Sequence, residues 1–331
     1  MKLRMFLVLL ILLGLTFIFS IFIGGSGLTV KDVIDVIFGN SVDITAQVII
    51  WKIRLPRIIL SMLIGAGLAV SGGVFQGILR NPLAEPYTLG ISGGAVFGVT
   101  LSLVLGLDKL LGGWILPVCS FLGALLAVGL VYVLAARRRF SVTTLILSGV
   151  VLSYLFSSLV LLILALVSAE KVQNTLIWLM GDLSTARTEL IPLCGTIVVL
   201  STIVLIYFSR ELDLLTLGEE RAVQLGVSAE NAKKMFFILA SFLTGTCVAM
   251  SGVIGFVGLI IPHLMRRVAG NKHLYLIPST FIAGAIFLAL CDTLARTIIV
   301  PLELPVGVIT GVVGGVFFLW YLMKNQKKEW F

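Results

Sequence analysis

The chain has 331 residues; 59% are hydrophobic, 12% are charged and mean hydropathy is +1.15. Soluble domains carry about 25% charge, and no soluble fold hides this much apolar surface. A soluble enzyme, a disordered chain and a nucleic-acid-binding module are therefore excluded, and an integral membrane protein remains.

Lys2 and Arg4 precede an apolar run over 5–23. The run exceeds a signal-peptide core of about 7–15 residues, and no small-residue cleavage pattern follows. A first membrane-spanning helix is expected, since a bilayer core needs about 20 apolar residues. Nine more runs follow, near 57–79, 88–107, 114–135, 142–168, 189–209, 233–252, 256–268, 275–297 and 305–323.

Between the first two, Leu28–Phe38 places Val30, Val33, Ile34 and Ile37 on one helical face, as an interfacial or lid-like helix would. Arg54-Leu55-Pro56-Arg57 precedes the second run. Pro82 and Pro86 in Arg80–Pro86 prevent a continuous helix into the third, which opens in the glycine-rich stretch Gly90–Gly94. The fifth run carries Ser148, Gly149, Ser153, Ser157 and Ser158; such hydroxyls either bond back to their own helix or face a wet path. Ala169–Asp182 is again amphipathic, through Val172, Leu176 and Leu179.

The longest loop on the basic side is Arg210–Asn231. Within it, Leu217, Glu220, Ala222 and Leu225 have helical period and Gly226 ends it. Such a segment is either a mechanical handle for a soluble partner or a solvated linker. The eighth run is short and interrupted by Pro262, and Asp292 and Arg296 end the ninth one turn apart, placed to pair. Glycines recur every fourth residue at Gly90, Gly94, Gly98 and at Gly307, Gly311, Gly315, with Thr310 beside the second stripe. Such stripes let helices approach closely.

With the N-terminus inside, sixteen of the 24 Lys and Arg fall on the inner side, including Arg80, Arg137–Arg139, Arg210, Arg266, Lys327 and Lys328. The positive-inside rule then puts both termini in the cytoplasm and makes the net charge of +8 largely topological. Ala69-Val70-Ser71-Gly72 recurs as Ala249-Met250-Ser251-Gly252, each followed by a proline eleven residues after the serine, at an offset of 180. The two copies run in opposite directions, which suggests two five-helix halves, 1–186 and 187–331, in inverted topology. Chance similarity between small-residue helices is the alternative.

No Gly-Lys dipeptide of an ATP-binding loop and no HExxH is present. His263 and His273 are too few for a metal cage, and the four cysteines sit singly in apolar runs. No nucleophile-base set suggests an embedded enzyme, and of intramembrane acids only Asp292 offers an ion site to a secondary transporter.

These residues resemble the FecCD-type permease subunits of ATP-binding-cassette importers for iron-siderophores, haem and cobalamin. The resemblance is carried by Arg54–Arg57, Gly65–Ala95 (GAGLAVSGGVFQGILRNPLAEPYTLGISGGA), Trp178–Ser184, Leu217–Val227, Gly252–Arg267 (GVIGFVGLIIPHLMRR), Asp292–Arg296 and Glu303–Gly311 (ELPVGVITG). It implies an all-α membrane protein of about ten spans forming one permease domain, 1–331. A second copy, two cytoplasmic ATPase subunits and an extracytoplasmic substrate-binding protein would complete the importer in the bacterial cytoplasmic membrane. ATP and Mg would belong to the ATPase; no catalytic residue, cofactor, metal or nucleic acid is implied for this chain.

The resemblance further implies site residues. Arg54, Arg57 and Arg296 would receive carboxylates of the binding protein. Leu217, Gly218, Glu219, Glu220, Arg221, Ala222, Leu225, Gly226 and Val227 would couple to the ATPase. Asn81, Leu83, Ser141, Val142 and Thr143 would form the inner gate, where Val142 departs from more polar gates. Ser153, Ser157, Gly307, Thr310 and Gly311 would line the path. An iron complex is the expected cargo, with cobalamin the alternative.

Overall fold

The computed structural model describes residues 2–112, 114–184 and 187–324. Lys327, Lys328 and the expected division of the halves at 186 lie outside them. The described residues form sixteen α-helices and no strand.

α1 (Lys2–Phe22) is apolar all round. α2 (Val30–Ile37) starts at a capping box: Asp32 N donates to Thr29 Oγ1 at 3.3 Å, and Thr29 N donates to the Asp32 carboxylate at 2.7 Å. The Thr29 hydroxyl, and then its amide, hold the Asp32 carboxyl below its usual range. The cap therefore contributes above the ordinary aspartate range and is lost as pH falls through the lowered one. α3 (Ile44–Val48) runs through a π-helical turn, Ile49–Arg54, into α4 (Leu55–Ile78). The π turn lies just before Pro56, which has no N–H for the α ladder. The second expected run is thus only the inner part of one 35-residue helix beginning at Ile44.

A 3-10 turn at Pro86–Leu89 leads through Gly90, at φ 79°, into α5 (Ile91–Val104). α6 (Leu107–Leu111), α7 (Ile115–Ala136), α8 (Val142–Ala165) and α9 (Ala169–Leu179) follow. Then come α10 (Ile191–Tyr207), α11 (Ser209–Thr216), α12 (Glu219–Gln224), α13 (Ala229–Ser251), α14 (Val257–Ala269), α15 (His273–Thr297) and α16 (Val306–Lys324). Each of the ten apolar runs lies on a helix. Among the described residues, seven helical segments are long and apolar enough to cross a membrane; α5 and α16 are shorter and apolar.

α4 is the centre of the bundle. α15 packs along it and α13 and α14 pack against it. A Cβ at Gly65 would strike the backbone of Gly284 on α15, and one at Gly72 that of Gly258 on α14. α5 pairs with α7 in the same way, Gly94 and Gly98 facing Gly123 and Cys119. Close helix packing thus accounts for most of the first glycine stripe.

Four expectations need correction. Pro262 does not interrupt the eighth run: α14 passes through it. Residues 210–231 are not a loop but α11, α12 and the start of α13. On α2 the buried residues are Val33 and Val36, packed on Ala46 and Ile50, while Val30, Ile34 and Ile37 are exposed. On α9 the inward residue is Thr175, and Leu176 is exposed; Lys171 Nζ reaches the C-terminal carbonyl of Val104 on α5 at 2.7 Å. An amphipathic pattern marks two faces, and only the neighbour decides which is covered. The repeated tetrapeptides also differ locally. Ser71 lies inside α4, whereas Ser251 ends α13 because Gly252 turns to φ 68° against the Trp178 carbonyl.

Candidate functional site

Three places along the bundle hold the residues that the sequence singled out. At one end, four charges form a network, three of them buried. Arg57 Nε lies 2.9 Å from Asp292 Oδ1, and its Nη1 2.5 Å from Glu303 Oε2. Arg296 Nε lies 3.1 Å from Asp292 Oδ2, so the two pair across one helical turn as the spacing implied. Arg54 donates to the Ile21 carbonyl and, at 2.7 Å, to Ser26 Oγ. The three arginines are 3%, 7% and 4% exposed, so they do not stand free on the surface. Asp292 is fully buried, whereas the Glu303 side chain is 47% exposed. Arg57, Glu303, Lys52 and Thr188 line a cleft of about 270 Å³. Glu303 was not singled out by the sequence; its position before a proline-glycine stretch gave no sign of an arginine partner.

The second place is a break in the helical backbone. Between α13 and α14, residues 252–256 are non-helical. Backbone of this kind needs partners within the protein when it lies at membrane depth. They come from distant segments. Tyr87 Oη donates to the Ile254 carbonyl at 3.0 Å and accepts from Ile254 N at 3.1 Å. Glu85 accepts from Phe256 N at 2.6 Å, and Asp182 N donates to the Ser251 carbonyl at 2.9 Å. Gln76 of α4 donates to the carbonyls of Gly258 and Leu259 at 3.3 and 3.2 Å. No motif in the sequence marks Gln76, Glu85 or Tyr87, although Glu85 lies within Arg80–Pro86. A polar Gln inside the apolar α4 was the available signal.

A cavity of about 310 Å³ opens beside this break, lined by Ser92, Gly93, Ser153, Ser157, Leu179 and Val253 among others. Ser153 and Ser157 thus come together there, although Ser153 Oγ also bonds back to the Gly149 carbonyl at 2.8 Å. On α16, a Cβ at Gly307 would strike the carbonyls of Met180 and Val253, so Gly307 abuts the same break. Thr310 is buried and bonds to the Gly307 carbonyl at 3.1 Å. Gly311 has open space around it and does not join the cavity.

The third place is at the opposite end. Gly218 at φ 110° and Gly226 at φ 85° bracket α12. Ala222 is buried and anchors it, while Glu220, Arg221 and Leu225 are exposed, as is Leu217 just before it. Gly218, Glu219 and Val227 are half-buried. A cleft of about 850 Å³ runs beside it, lined by Glu219, Glu220, Val223, Arg139 and Glu230 among others. Ser141 caps α8, its Oγ accepting from Thr144 N at 3.2 Å; Val142 is half-buried and Thr143 exposed. Asn81 Oδ1 accepts from Leu83 N at 2.9 Å, which shapes the turn after α4 and leaves Leu83 exposed. Among the described residues no His, Cys, Asp and Glu group could hold a metal ion.

The FecCD transport family model matches residues 10–324. The chain is 43% identical over 282 residues to an uncharacterized ABC transporter permease protein, YvrB, of Bacillus subtilis, covering 84% of this chain and 80% of that one. It is 37% identical over 283 residues to the hemin transport system permease protein HmuU of Yersinia pestis, covering 85% of each. It is 36% identical over 299 residues to the vitamin B12 import system permease protein BtuC of Salmonella paratyphi A, covering 87% and 88%. Among solved structures, an inward-facing conformation of a metal-chelate type ABC transporter matches with TM-score 0.85 and 34% identity, over 98% of this chain and 100% of that one. The family match over residues 10–324, with the structural likeness over nearly the whole length, identifies the chain as a member of the FecCD transport family, a multi-pass ABC-transporter permease.

Proposed function

We propose that this chain moves an iron complex, siderophore-bound iron or haem, across the bacterial cytoplasmic membrane as the permease of an ATP-driven importer. The observation that carries the reading is the likeness, over almost the whole chain, to a metal-chelate type transporter. The hemin permease of Yersinia pestis supports it further. The cobalamin relatives favour cobalamin as the second reading.

In this reading residues 1–331 form one domain of ten spans in two inverted halves, divided near 186, with both termini cytoplasmic. Two copies enclose the path, and each supplies one wall with Ser153, Ser157, Gly307, Thr310 and Gly311. Such a division suits the cavity, whose volume is at the low end of the roughly 300–1,000 Å³ common for small-molecule sites.

Two ATPase subunits grip α12 through Leu217–Val227. They hold ATP and Mg; this chain does no covalent chemistry and carries no cofactor. ATP shifts the permease only by favouring one arrangement over another, and α12 is where that preference enters. Asn81, Leu83, Ser141, Val142 and Thr143 gate the inner end.

The substrate-binding protein docks at the other end. Arg54, Arg57 and Arg296 are already matched inside the chain, and of their carboxylate partners Glu303 is the exposed one. Docking therefore works by exchange: a carboxylate of the binding protein takes the place of Glu303 on Arg57.

The test is uptake into vesicles that hold the chain, its ATPase and its binding protein, with ferric siderophore, haem and cobalamin compared in parallel. ATP-dependent uptake of an iron complex, abolished by Glu220→Arg, is expected. ATP-dependent uptake of cobalamin alone would move the reading to cobalamin.

A further inference from the structure

Lys233 is 1% exposed, the one buried lysine among the described residues. Its stem lies in α13, one turn from the N-terminus, and its Nζ has two partners on different elements. One is Glu219 Oε1 at 2.9 Å, at the first position of α12. The other is the carbonyl of Phe140 at 2.6 Å, immediately before the Ser141 cap of α8.

The Phe140 turn is unusually defined. Arg139 and Phe140 both adopt left-handed backbone, φ 52° and 54°, which costs a residue with a Cβ roughly 1 kcal/mol or more. The Phe140 ring is fully buried, edge-on to Tyr132 at 5.1 Å and to Phe237 of α13 at 5.7 Å. Strained backbone of this kind persists where its surroundings over-determine it. Here the surroundings are the aromatic cluster and the Lys233 bond. A buried lysine is costly unless both its charge and its hydrogens are matched. Glu219 and Phe140 do the matching, so a shift of α12 that withdraws Glu219 leaves the lysine half-matched and unsettles the turn it holds.

We propose that Lys233 is a positioning residue that transmits movement of α12 to the start of α8, and so to the inner gate at Ser141, Val142 and Thr143. The proposal rests on reading α12 as the ATPase handle and names the side chain that carries its motion inward. α8 also lines the cavity through Ser153 and Ser157, so one rigid element joins the strut to the path.

The test uses the full chain alone in vesicles, with Cys119→Ser removing the half-buried cysteine and Val142→Cys reporting on the gate. The labelling rate by a membrane-impermeant maleimide is read in Lys233→Met, Lys233→Arg and Glu219→Ala backgrounds. Loss of a charge-assisted bond shifts a conformational equilibrium by roughly fivefold to thirtyfold. A labelling change of that size is expected for Lys233→Met and Glu219→Ala, with Lys233→Arg near the parent rate. Buried Cys194 and Cys247 report on the fold: if Lys233→Met exposes them, Glu219→Ala decides, because the Glu219 side chain is 42% exposed and its loss leaves the core intact. An unchanged Val142→Cys rate in a folded Lys233→Met chain, or in Glu219→Ala when Lys233→Met does not fold, overturns the strut. The handle itself is tested separately, by loss of ATPase association in Glu220→Arg; a strut that fails while association is lost leaves the handle standing.

Discussion

Gln76 of α4 donates its side-chain amide to the carbonyl of Gly258, four residues before Pro262. A proline has no N–H to give to that carbonyl, so the bond that α14 lacks is supplied from another helix. This is how α14 stays helical through a proline. It also ties α4 to the helix that follows the backbone break.

Gln76→Leu is expected to leave the Gly258 carbonyl unpaired and to cost about 1–3 kcal/mol. Thermal unfolding in detergent would show it, and Gln76→Met and Gln76→Leu should behave alike, since the amide rather than the volume is lost.

The glycines that set helix spacing should separate by position. Gly72→Ala puts a methyl group into the Gly258 backbone and should destabilise by about 1–3 kcal/mol, the cost of overpacking. Gly14→Ala on α1 meets nothing within 4 Å and should be neutral or gain up to about 1 kcal/mol. Equal effects in the same thermal assay would show that the two helix surfaces are not distinct.

Asp292 and Glu303 share Arg57 but differ in burial. Asp292→Asn leaves buried Arg296 without a carboxylate and Arg57 with Glu303 alone, and should cost about 3–5 kcal/mol. Glu303→Gln removes a half-exposed partner, and its effect on stability should stay within about 1 kcal/mol. Because Glu303 competes with the docking protein in the proposed exchange, Glu303→Gln should tighten docking, measured by binding of the purified binding protein to vesicles. Weaker docking in Glu303→Gln would place Glu303 among the docking groups instead.

Glu85→Ala deprives Phe256 N of its acceptor at the break. Destabilisation of about 1–3 kcal/mol is expected, with Glu85→Gln much closer to the parent because an amide oxygen also accepts. Tyr87→Phe removes both bonds to Ile254 and should fall in the same range. If both variants melt with the parent, the unwound segment is held by other groups.

The sequence by itself determined the membrane class, because hydropathy is a property of composition and run length. It also determined the helical runs, the close approach at Gly94, Gly98 and Gly307, the i, i+4 pair of Asp292 and Arg296 and the glycine-bounded segment at 217–227, all of which follow from local spacing. Only the tertiary structure decided which face of α2 is covered, that Arg54, Arg57 and Arg296 turn inward, that Ser251 ends a helix where Ser71 does not, and that Gln76, Glu85, Tyr87, Lys233 and Glu303 find their partners. Those partners lie up to 246 residues apart, as Arg57 and Glu303 do. A polar side chain in an apolar run announces that it needs a partner, but which one it meets is fixed when the helices pack.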